Sequence, residues 1–394
     1  MLPDHRASRS KRRRSAGVLI LSGLAGAAAL ASPAEGQLRA DRMATLELPA
    51  RPGAHWVWVN DIVFHHMADG KAFLLDGDSG NMLGMLSTGF GFTGLLVPPD
   101  GSAIVSPETY YSRGTRGTRT DVVTVYDPRT LSPIAEIDIP AKRAGMIPMT
   151  SATGLTDDGR FLLVYNFTPA QSVSVVDLAS RQFVGEIDTP GCALVYPTGP
   201  RSFFSLCGDG TAFVVRLDET GKPAARNRTA RLFDPEADPV TEKAVRDGNA
   251  WLFVSFAGDV VPIESTADGV RAGARWPLTT AAERQQGWRP GGLQHLALHV
   301  RNRRLYSLMH QGGPDTHKDP GSEIWVHDLA TRQRAQRIAL EKPLTSIAVS
   351  SDANPLLFGV FIAAPELLVF DGRTGALLRT VSEVGFTPST LIAR

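Results

Sequence analysis

Apolar positions in this chain come in short runs, and the runs come in pairs. Lys71–Gly89 reads KAFLLDGDSGNMLGMLSTG: a β-rich run, an Asp-led turn, then a second run. The same shape recurs at Val122–Pro140, Ser172–Pro190, Thr211–Thr229, Asp259–Leu278, Glu323–Leu340 and Leu367–Gly385, with Asp259–Leu278 the most degenerate copy. The turn acids Asp76, Asp127 and Asp177 are 51 and 50 residues apart, and Asp328 and Asp371 are 43 apart. Before each hairpin lies another apolar run: Trp56–His66, Ser102–Tyr111, Arg160–Phe167, Arg201–Cys207, Asn249–Ala257, Arg303–His310 and Pro355–Ala363. Pro99-Asp100-Gly101 and Asp157-Asp158-Gly159 are tight turns that introduce two of them. A unit of about four strands and 40–50 residues has the period of a propeller blade. The predicted fold is an all-β, seven-bladed β-propeller of four-stranded blades. A pair of β-sandwiches would explain the strands but not the period. One segment breaks the pattern: Thr279–Arg289, TTAAERQQGWR, predicts a short inserted helix capped by Thr and stopped by Pro290-Gly291-Gly292.

Composition is that of a folded soluble chain, with 43% hydrophobic and 21% charged residues. A net charge of +1 gives no reason to expect nucleic-acid binding. The charge is unevenly placed, however. Residues 1–31 hold six Lys/Arg and one Asp, so their removal takes the net charge from +1 to −4. Arg9–Arg14 is a basic run, Ala16–Ala31 an apolar one too short for a comfortable span, and Ala29-Leu30-Ala31 a small-x-small cleavage pattern. This reads as a signal peptide over 1–31, and a retained anchor is the alternative. The expected mature chain is a single propeller domain over 32–394, periplasmic and free of the membrane. Without the leader, 363 of the 394 residues remain, about 52 for each of seven units.

The two cysteines fit export. Cys192 and Cys207 are placed symmetrically about Thr198-Gly199-Pro200-Arg201, a turn between two apolar runs. In a hairpin they face each other, within reach of a disulfide that an oxidising compartment would keep. Two free buried thiols are the alternative. Two cysteines without nearby histidines are too few ligands for a metal.

Chemistry is otherwise scarce. Gly89–Gly94, GFGFTG, has the letters of a dinucleotide-binding loop, but Leu95-Leu96-Val97-Pro98-Pro99 follows where a helix is needed. Glycines here let the backbone bend at a blade junction and expose Phe90 and Phe92. His295 and His299 share a strand, and His310 and His317 flank a Gly-rich loop that suits hydrogen bonding better than a metal. No triad, nucleophile elbow, H-E-x-x-H or P-loop is present. The residues alone point to an exported propeller with no self-sufficient active site.

Several segments resemble the heavy (α) subunit of the quinoprotein amine dehydrogenases. They are Thr118–Pro140, Phe161–Pro200 with NFTPAQSVSVVDL and DTPGCALVYPTGP, Phe203–Gly210, Gly287–Gly292 and Thr316–Asp328. Together they reach across nearly all of the mature chain. Thr316–Asp328 and Trp58–Met67, WVNDIVFHHM, look closer to the aromatic amine than to the methylamine branch. The resemblance implies a seven-bladed propeller within an α2β2 periplasmic enzyme that oxidatively deaminates primary amines to aldehyde and ammonia. It places the cofactor, tryptophan tryptophylquinone, and the catalytic Asp on a small Cys-rich light chain, so no catalytic residue is expected here. The six Trp of this chain (Trp56, Trp58, Trp251, Trp276, Trp288, Trp325) are then core and blade residues. A blue copper protein of the azurin or amicyanin type is the implied electron acceptor. Gly84–Phe90 matches a family stretch that ends in a Phe lining the quinone-site entrance, which makes Phe90 the substrate-channel candidate; an aromatic that merely fills the light-chain contact is the alternative. Two other classes stay open: a non-catalytic exported propeller acting as a binding or scaffold module, and a lone lactonase or lyase with metal ligands in its channel.

Overall fold

A computed structural model of the chain describes residues 46–92, 94–146 and 149–393. The leader over 1–31 and Thr93 of GFGFTG lie outside them. Seven antiparallel sheets follow one another along the described residues, and each is a blade. All seven hairpins read from the sequence are the two outer strands of a blade. In blade 1, Trp56–Asp61, Lys71–Asp76 and Met82–Ser87 pair in sequence order. Alternation explains the packing, because successive side chains point to opposite faces of a strand and each blade face meets a neighbour. Strands such as Phe161–Asn166 and Ser172–Asp177 are buried along their whole length, while the outermost Pro223–Arg228 is exposed at every position.

Chain ends close the ring. Pro388–Ala393 pairs antiparallel with Trp56–Asp61 and becomes the innermost strand of blade 1. Blade 2 has three full strands, Ile104–Tyr111, Arg119–Tyr126 and Pro133–Ile139, with a single bridge between Leu96 and Val105 marking its inner edge.

The inserted helix is shorter than predicted. It runs over Ala281–Gln285, with Thr280 as N-cap in a capping box with Glu283. Gly287, at φ +84°, ends it, and Trp288–Pro290 is already a strand of blade 6 against Met309–Gln311. Burial of Trp288 among Trp325, Leu305 and Met309 outweighs helical propensity there. The stop thus lies at Gly287 rather than at Pro290-Gly291-Gly292.

Cys192 and Cys207 are directly opposed across the hairpin of Cys192–Gly199 and Ser202–Cys207, and a disulfide joins them within blade 4.

Candidate functional site

One end of the propeller carries the features that distinguish this chain. In each blade the second and third strands are joined at the end where the innermost strand begins. In blade 1, Asp61 opposes both Lys71 and Pro388, and Lys71 opposes Ser87. Loops 62–70, 88–92 and 383–387 therefore share one rim, and loops 112–118 and 140–146 continue it around blades 2 and 3.

The loop after Ser87 is tied on all sides. Gly89 and Gly91 have φ of +72° and +84°, and a Cβ at Gly91 would collide with the Gly145 carbonyl oxygen. Between them, Phe90 N–H donates to Thr109 O at 2.7 Å, and Gly91 N–H to Met67 O at 2.9 Å. Phe92 N–H donates to Gly145 O at 2.8 Å. Phe90 is half-buried, its ring edge-on to Tyr111 with centroids 5.2 Å apart. Phe92, expected to be exposed, is instead buried. It turns inward to line a small cavity with Asn60, Leu96, Met149 and Thr390, and its N–H and carbonyl are both held by the loop that follows blade 2.

Arg143 does that holding. Its guanidinium donates through Nη1 to Phe92 O (2.8 Å), through Nη2 to Phe90 O (3.1 Å) and through Nε to Thr109 Oγ1 (3.1 Å). Burial pushes it down to about 10, against the pull of Asp121. Asp121 itself takes a two-point contact from Arg119 and accepts the Arg143 main-chain N–H at 2.8 Å. Behind the loop, Glu108 is fully buried and accepts from Thr124 (2.6 Å), Tyr110 (2.7 Å) and Tyr126 (2.8 Å). Burial raises its carboxyl above the ordinary range despite those donors.

Around this loop the rim exposes large apolar side chains. Phe64 and Phe386 are each 67% exposed, and Met146 and Phe167 more than half. His65 packs edge-on to Phe386 at 6.4 Å.

The other sequence candidates fall elsewhere. His295 donates or accepts at Thr241 Oγ1 (3.1 Å), His299 at Asp352 O (2.8 Å) and His310 at Thr316 Oγ1 (2.9 Å); His317 stacks on Phe256 at 4.0 Å. Among the described residues no three His, Cys, Asp or Glu converge as metal ligands. The central channel has a cavity of about 270 Å³ lined mostly by small apolar groups of the innermost strands. Its Lys243 lies 3.0 Å from Glu242, and burial lowers the amine. Trp276, Trp288 and Trp325 pack in one core cluster, Trp58 in another, and Trp251 against Tyr196. The sequence singled out Phe90 as a candidate; Arg143, Phe64 and Phe386 carry no motif and meet Phe90's rim only through the fold.

With this geometry in place, the comparisons with known proteins decide the family. The family model for the methylamine dehydrogenase heavy chain matches residues 53–394. The chain belongs to the methylamine dehydrogenase heavy chain family. The heavy chain of Paracoccus versutus is 34% identical over 357 residues, 89% of this chain and 82% of its own. That of Methylorubrum extorquens is 31% identical, over 83% and 80%. Among solved structures, a periplasmic gluconolactonase of Pseudomonas aeruginosa superposes with a TM-score of 0.58 at 18% identity, over 86% of this chain and 98% of its own. That likeness concerns the propeller fold alone. Membership supports reading this chain as an amine dehydrogenase heavy subunit.

Proposed function

We propose that this chain is the heavy subunit of a periplasmic α2β2 amine dehydrogenase. A light chain carrying tryptophan tryptophylquinone performs the oxidative deamination and passes electrons to a blue copper protein. The observation that carries the reading is family membership across residues 53–394, joined to a rim of exposed aromatics around Phe90. The quinone supplies the redox chemistry from the light chain. This chain's own residues cover that site, exclude water from it and shape its entrance. Phe90 presents an aromatic edge on a loop held at both main-chain ends, the kind of wall that selects amines by shape. The proposed preference is for aromatic amines, on the likeness of Trp58–Met67 and Thr316–Asp328 to that branch. The periplasmic assignment rests on the leader-like residues 1–31.

The test is purification with and without a family light chain. The complex is expected to show quinone absorbance and amine-dependent reduction of an artificial acceptor, and the chain alone neither. Turnover by the isolated chain would overturn the subunit reading. Faster turnover of methylamine than of benzylamine would overturn the preference.

A further inference from the structure

Phe90 sits between two glycines in left-handed backbone, so local sequence leaves it free to swing. Main-chain bonds from Phe90, Gly91 and Phe92 tether the loop, and a side chain from the loop after blade 2 completes the restraint. Arg143 is 53 residues away and bonds the Phe90 carbonyl, and a second arm bonds the Phe92 carbonyl. The third direction, Nε, is fixed on Thr109, whose own carbonyl receives the Phe90 N–H. One planar fork thus spans both ends of a two-residue step and ties it to the strand Ile104–Tyr111. The Tyr111 ring that meets Phe90 belongs to that same strand. Position of the ring and position of its wall are set together. Among the described residues no carboxylate bonds the guanidinium directly; its acceptors are two carbonyls and a hydroxyl. A charge is costly to bury, and a simple loop anchor does not require one. The rigid fork is what a lysine cannot reproduce, since an ammonium is a point donor.

We propose that Arg143 is a positioning residue that determines amine selectivity by fixing the Phe90 ring against Tyr111, without touching substrate. The proposal rests on the reading of Phe90 as an entrance residue.

The experiment uses the complete complex with its light chain and compares kcat/KM for benzylamine and methylamine in wild type, F90A, R143K and F90A/R143K. A displacement of the ring by about 1 Å is enough for changes of order tenfold or more. R143K is expected to move the benzylamine/methylamine ratio about tenfold in the same direction as F90A, chiefly through KM. The double variant is expected to match F90A alone, because Arg143 acts through Phe90. If R143K does not assemble, T109V removes the Nε acceptor and should shift the ratio the same way by a smaller factor. A wild-type ratio in R143K or T109V while F90A shifts it would overturn the positioning role alone. Multiplicative effects in the double variant would do the same. No shift in F90A would bring down the entrance reading itself, and this inference with it.

Discussion

Asp61 and Thr387 are 326 residues apart and meet twice: Asp61 Oδ1 accepts the Thr387 main-chain N–H and its Oγ1–H, each at 2.9 Å. Asp61 also accepts from Phe386 N–H (2.6 Å) and Val63 N–H (2.8 Å). A single buried carboxylate therefore joins the first β-run to the last at the ring closure, beside the exposed Phe64 and Phe386. In Asp61→Ala these donors lose their acceptor, and each buried unsatisfied group costs about 1–3 kcal/mol. The expected outcome is a loss of about 3 kcal/mol in urea unfolding. Faster amide exchange should be confined at first to residues 388–393. Uniform exchange across all blades would contradict a closure role.

The Cys192–Cys207 bond closes a loop of 15 residues within one blade. Such a loop is worth about 3 kcal/mol through the unfolded state. The double Cys→Ser variant should unfold at correspondingly lower urea, and dithiothreitol should lower the wild type towards it. Reductant that leaves the wild-type midpoint unchanged would show that the bond adds nothing.

Phe90→Ala should change selectivity more than stability. A Phe buried in a blade core costs about 3–5 kcal/mol on truncation. Phe90 is only half-buried, so the isolated chain should lose clearly less than that. Phe204→Ala, in a fully buried position, serves as the core reference. Equal losses from the two variants would make Phe90 a core residue.

His327 is buried, with its ring against Trp276 and Nε2 3.1 Å from Leu278 O, and burial pushes it down to about 4. Its folded value lies below the unfolded one of about 6.5, so the unfolded chain takes up the proton first. The contribution is complete above pH 6.5 and is lost as pH falls towards 4, about 3 kcal/mol for this group. Burial shifts His295, His310 and His317 the same way. Unfolding midpoints should fall from pH 7 to pH 5, less steeply in His327→Gln. Identical slopes would assign the pH dependence to other groups.

The seven hairpins, their turns and the pairing of Cys192 with Cys207 are written in local sequence. All of these follow from alternation and turn chemistry within about 20 residues. The sequence also proposed Phe90 as an entrance residue, through a local resemblance. The rest depends on contacts between blades. Pro388–Ala393 becomes the partner of Trp56–Asp61 because a propeller must satisfy its last edge, and nothing near residue 390 encodes residue 57. Phe92 turns inward and Phe90 stays half-buried, although both stand in the same GFGFTG run: Phe92 faces Asn60 and Thr390, distant in sequence, and Phe90 meets Tyr111. Trp288 leaves the helical pattern of its neighbours to be buried on Trp325. In each case a contact between distant segments outweighs a local preference of about 1 kcal/mol or less per residue, and such contacts exist only once the ring has closed.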